Sequence, residues 1–60
     1  MKFIEFTDPS GNKIAVAREW VYMIRLPHKN ERGNAVLVIS ALSQQIMETV
    51  AEARALLETA

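Results

Sequence analysis

The side chains that could do chemistry in this chain are few. His28 is the single histidine, Ser10, Ser40 and Ser43 are the serines, and cysteine is absent. Nucleophilic catalysis needs a nucleophile, a base and a group that orients the base. Ser10 belongs to a turn, Ser40 and Ser43 sit where a helix would be capped, and His28 lies in a polar stretch with no carboxylate placed to orient it. It reads as a solvated loop histidine. Glu48 and Glu52, four residues apart, would share a face of the C-terminal helix expected here and could pair on a cation. No third ligand joins them, so a solvated surface is the preferred reading. With one histidine and no cysteine, the usual zinc donor sets cannot be assembled. Gly11 and Gly33 stand alone, so no glycine-rich loop cradles a phosphate. We therefore expect no enzyme, and no catalytic, metal or cofactor-binding residue.

Nucleic-acid binding is the alternative. Arg18, Trp20, Tyr22, Arg25, Lys29 and Arg32 interleave basic and aromatic side chains. Aromatic rings on a sheet can stack unpaired bases, which describes a small module for single-stranded nucleic acid using Trp20 and Tyr22. Seven basic residues balance seven acidic ones, however, so the usual electrostatic footprint is missing. Strand alternation also sets Arg25 opposite Trp20 and Tyr22. Nucleic acid is not the favoured partner.

The elements that must position these residues follow from periodicity. Strand formers fill 2–7, and Asp8-Pro9-Ser10-Gly11 has the residue preferences of a type I turn. Residues 12–17 return as a second strand, which makes a hairpin. Residues 20–26 carry aromatic and β-branched side chains until Pro27, and Arg18-Glu19 reads as a kink or the start of a short helical turn. The polar stretch 27–34 is a loop, and 35–39 is an unbroken apolar strand. From 41 to 58, Leu42, Ile46, Val50, Ala53 and Leu57 recur at spacings of four, four, three and four, one stripe of a helix. Ser40 or Ser43 would cap it, though neither has Glu or Gln three residues on. The expectation is one small α+β domain: an antiparallel meander of three to four strands with a C-terminal helix on one face.

A helix covers only one face of such a sheet, and a strand with one wet face should alternate. Residues 35–39 do not, with Ala35, Leu37 and Ile39 opposite Val36 and Val38. In 20–26, Trp20, Tyr22, Ile24 and Leu26 stand opposite Val21 and Met23. Met47 and Leu56 flank the helical stripe. Sixty residues form only a marginal core, and disulfides and metals are closed as supplements. The expected remedy is a homo-oligomer, most simply a dimer, or docking on another protein, through Trp20, Tyr22, Val36, Val38, Met47 and Leu56. Lys2 and Glu5 interrupt any apolar leader, and no run is long enough to span a membrane. A cytoplasmic protein is expected.

An N-terminal strand, the turn Pro9-Ser10-Gly11-Asn12, the run Ile14-Ala15-Val16, the segment Trp20-Val21-Tyr22-Met23-Ile24, a polar loop, the strand from Ala35 to Ile39 and a closing helix together resemble the small FlbD/SwrD-like proteins associated with flagella and swarming. The likeness spans most of the chain as a pattern of apolar positions. That family places another turn and strand before the helix, whereas the stripe read here runs from Ser40 straight into it. The resemblance implies a bacterial-type accessory protein without catalytic residues.

Overall fold

Alternation builds the first hairpin. The computed structural model describes residues 2–59, and in it β1 (Phe3–Thr7) pairs antiparallel with β2 (Lys13–Ala17). Ile4, Phe6 and Val16 point into the core, while Phe3 and Glu5 face outward. The intervening turn is the one expected. Gly11 N–H donates to Asp8 C=O at 2.9 Å, and the Asp8 carboxylate accepts from Ser10 N–H at 3.0 Å and Asn12 N–H at 2.8 Å. Arg18–Trp20 form one 3₁₀ turn that leads into a three-stranded antiparallel sheet. Its strands are β3 (Val21–Arg25), β4 (Ala35–Ile39) and β5 (Leu42–Ile46), in that order. The helix α1 (Val50–Thr59) closes the fold against β1, β3 and β4. The α+β class and the helix-on-sheet packing are as expected.

Two expectations need correction. The meander is not a single sheet of three to four strands: five strands form two sheets, and the expected helix over 41–58 is split. Leu42–Ile46 is a strand, because Ser40 takes the left-handed conformation at φ 54° and with Ala41 makes a tight hairpin turn that sets Ile39 opposite Leu42. Neither Ser40 nor Ser43 caps the helix. Thr49 does. Its hydroxyl accepts from Glu52 N–H at 3.1 Å, and the Glu52 carboxylate accepts from Thr49 N–H at 2.9 Å, a reciprocal capping box.

The core joins both sheets to the helix. Ile4, Phe6, Val16, Ala35, Leu37, Ile46 and Ala53 are buried together, with Val50 and Leu57 packed at the margin. The sheets also touch through the backbone. Met47 N–H donates to Thr7 C=O at 2.7 Å, and the Glu48 carboxylate accepts from Thr7 N–H at 2.9 and 3.1 Å and from the Thr7 hydroxyl at 3.0 Å. At the other end of β1, Arg18 N–H donates to Lys2 C=O at 2.9 Å. The Arg18 side chain reaches α1, where its Nε donates to Leu57 C=O at 2.7 Å. A cation at this end suits the helix dipole, and α1 has no basic residue of its own in its last turn.

Gly33 permits the entry into β4. Its φ is +89°, and a side-chain carbon there would collide with the Ile46 carbonyl oxygen, the acceptor of Asn34 N–H at 2.8 Å.

Candidate interaction surface

A bulge in β3 decides which residues reach the surface. Val21 pairs with Ile39 and Met23 with Val38, so Tyr22 is an extra residue between them. Simple alternation put Val21 and Ile24 on opposite faces. The bulge sets both against the core, leaves Met23 and Arg25 on the outer face, and extrudes Tyr22 to 78% exposure.

Tyr22 does not stand alone. Trp20 ends the 3₁₀ turn just before it at 55% exposure, and Leu42 opens β5 at 73%. These three side chains, with Ala41 of the hairpin turn, wall a shallow groove of about 860 Å³ floored by Val21 and Ile39. Val21 and Ile39 also pack on the core, so the groove is where the hydrophobic interior opens at one end of the three-stranded sheet. Glu19 is the only charged residue on its wall.

The expected interface residues are thus divided. Trp20 and Tyr22 come together. Val36 is a correction: it is fully buried within the chain and offers nothing to a partner. It lies between Arg25 and Gln45 across the outer face. The Arg25 guanidinium is held there by Glu31 at 2.7 and 2.9 Å, which brings the 26–34 loop over that face. Val38 is half-buried on the same face. Met47 and Leu56 are partly exposed, but neither lines the groove. Leu42 was missed as a surface residue, since its place in the helical stripe implied burial.

Two of the basic residues nearby, Arg25 and Arg18, are engaged within the fold. The hydrogen bond from Arg25, followed by that from His28 N–H, draws the Glu31 carboxyl down to about 2, and the hydrogen bond to Glu31 in turn raises Arg25. Arg18 is spent on the helix terminus. His28 is exposed, with its Nδ1 3.8 Å from Glu31. Glu48 and Glu52 do not pair: Glu48 binds Thr7, and Glu52 caps the helix. Among the described residues no three His, Asp or Glu side chains gather as a cation site. No helix among them is long and apolar enough to cross a membrane.

No family model matches this chain. Comparison with curated proteins and with solved structures likewise returns no significant match. The functional reading therefore rests on the surface itself.

Proposed function

We propose that this chain is a non-enzymatic accessory protein that works through protein contacts and associates with itself. The observation that carries this reading is the groove. Trp20, Tyr22 and Leu42 stand exposed around a mouth continuous with the core, in a chain small enough to gain measurably from covering it. A cysteine-free chain suits the cytoplasm. The resemblance to FlbD/SwrD-like proteins gains support from the turn at Ser40-Ala41 and from β5, the elements whose absence from the sequence reading had set this chain apart.

The lone tryptophan sits on the proposed surface, so it reports directly. Sedimentation from low micromolar to near-millimolar concentration is expected to show a shift from one chain to two, with Trp20 emission moving to shorter wavelength in parallel. A folded monomer over the whole range, with unchanged emission, would refute self-association. The alternative, a single-stranded nucleic-acid module, draws on the exposure of Trp20 and Tyr22 as stacking rings. Quenching by single-stranded oligonucleotides that added salt reverses would favour it, and a flat titration would remove it.

A further inference from the structure

We propose that the free edge of β3 is the seam between two copies of this chain, joined antiparallel about a two-fold axis near Met23 into one six-stranded sheet. This rests on the self-association reading and names the surface that performs it.

The argument begins with backbone. Among the described strands β3 is hydrogen-bonded to β4 alone, so half of its N–H and C=O groups face outward along an open edge. Sheet proteins blunt such edges with lysine, proline or another charge. β3 has no lysine or proline, and its one charge, Arg25, is tied to Glu31, which leaves the bulge at Tyr22 as its one guard. The opposite edge of the same sheet is different. β5 is polar through Ser43, Gln44 and Gln45, and the chain just past its end is engaged by β1 through Met47 and Thr7. The edge of β2 begins with Lys13 and otherwise carries small or apolar residues. The outer edge of β1 is engaged at Thr7 by Met47 and Glu48, so β3 is the edge that is both open to its end and flanked by several large apolar side chains.

A two-fold seam must be self-complementary. Pairing about Met23 sets Ile24 across from the partner's Val21 once the bulge is counted, both on the core face, and Leu26, just past β3, is 71% exposed in the single chain. Met23 meets its own copy, and with Tyr22 counted as the extra residue Arg25 falls across from the partner's Trp20, so no like charges are opposed. The chain's zero net charge adds no repulsion between copies.

The area is sufficient. Rings of about 150–250 Å² each, at the exposures of Trp20 and Tyr22, present roughly 600 Å² over two copies. Met23, Leu26 and the strand backbone bring this to the order of 1,000 Å² that a specific interface needs.

The chain's lack of cysteine makes a direct test possible. In antiparallel pairs, facing Cα atoms lie about 4.5–5.5 Å apart, within the span of a disulfide. Met23→Cys, oxidised with glutathione disulfide, is expected to form a cross-linked dimer, while Ser43→Cys on the β5 edge stays single. Tyr22→Lys, at an exposed position, is expected to weaken the dimer at least tenfold with an unchanged circular dichroism spectrum. A wild-type chain that never dimerises overturns the self-association reading and this seam with it. A wild-type dimer that resists Tyr22→Lys, or that cross-links through residue 43 and not 23, overturns the seam alone.

Discussion

Removing the Glu48 carboxylate tests how the hairpin is fastened to the rest of the fold. Thr7 is held on both backbone groups by the Met47-Glu48 link: its C=O accepts from Met47, and its N–H and hydroxyl donate to Glu48. Lys13 Nζ donates to the Thr7 hydroxyl oxygen at 3.0 Å, which places a positive charge nearby. A hydrogen bond to a charged acceptor contributes about 1.5–3 kcal/mol, and the lower end applies to a carboxylate that is only partly covered. Glu48→Ala should therefore cost about 2 kcal/mol. Glu48→Gln, which keeps one neutral acceptor, should cost about half as much. A domain of this length has about 3–9 kcal/mol of stability in all, and each kcal/mol moves Tm by about 4–8 °C. The alanine variant should thus melt about 8–16 °C lower, measured by circular dichroism at neutral pH.

The same carboxylate gives the variant a pH signature. Partial burial works against its charge, but the hydrogen bonds from Thr7 and the field of Lys13 outweigh this and hold it below its ordinary value of 4.5. A folded value below the unfolded one means the stabilisation is complete above the ordinary carboxylate range. It is lost as pH falls from there through the folded value. Glu31, drawn to about 2, acts in the same direction. Glu48→Gln should flatten the acid loss in part, and the double variant with Glu31→Gln should flatten it further. If Glu48→Gln matched the wild type both in Tm at neutral pH and in its loss of stability on acidification, the latch would carry no load and this reasoning would fail.

Gly33→Ala should cost about 3 kcal/mol in denaturant unfolding, because the positive φ and the Ile46 carbonyl both oppose a side chain. Gly11→Ala, at φ +91° but in open space, should cost only about 1 kcal/mol, and equal costs would discredit the close approach. Ile46→Asp buries an unpaired charge at the end of β5 and should abolish the folded circular dichroism spectrum, whereas a native melt would mean that Ile46 is not in the core.

The first hairpin was legible because alternation and turn chemistry agreed there: Ile4 and Phe6 face inward, and Asp8, Pro9 and Gly11 favour one turn. The fifth strand was hidden by an arithmetic coincidence. A spacing of four places Leu42 and Ile46 on one face of a helix and equally on one face of a strand, so these two residues could not separate the periods. The turn that should have broken the stripe uses Ser40 in a conformation where glycine or asparagine would have announced it. One signal was present and overlooked: Thr49-Val50-Ala51-Glu52 is a capping-box sequence that fixes the true helix start. The bulge at Tyr22 and the cover that Arg25 and Glu31 give Val36 depend on long-range packing, and no local pattern encodes either. At the candidate surface, Trp20 and Tyr22 were readable from the apolar side chains on both faces of residues 20–26. Leu42 was not, since its exposure follows from the strand that was missed.

The outer face of the sheet answers only part of the excess apolar surface. Arg25 and its loop roof Val36, which removes the strongest sign of a second buried face. What remains lies at the groove end and along β3, and the dimensions explain why. A ten-residue helix is about 15 Å long and must serve both sheets, whereas each five-residue strand runs about 17 Å beside neighbours nearly 5 Å apart. Such a helix can seal the end at Ala35, Leu37 and Ile46 and still leave Val21, Ile39 and Leu42 short of cover. Burying roughly 600 Å² of ring surface at about 25 cal/mol per Å² gives about 15 kcal/mol gross. Association costs about 4–15 kcal/mol of that, before Met23, Leu26 and the strand hydrogen bonds are added. The difference favours a dimer of moderate affinity, one that forms and separates with concentration and leaves each folded chain intact.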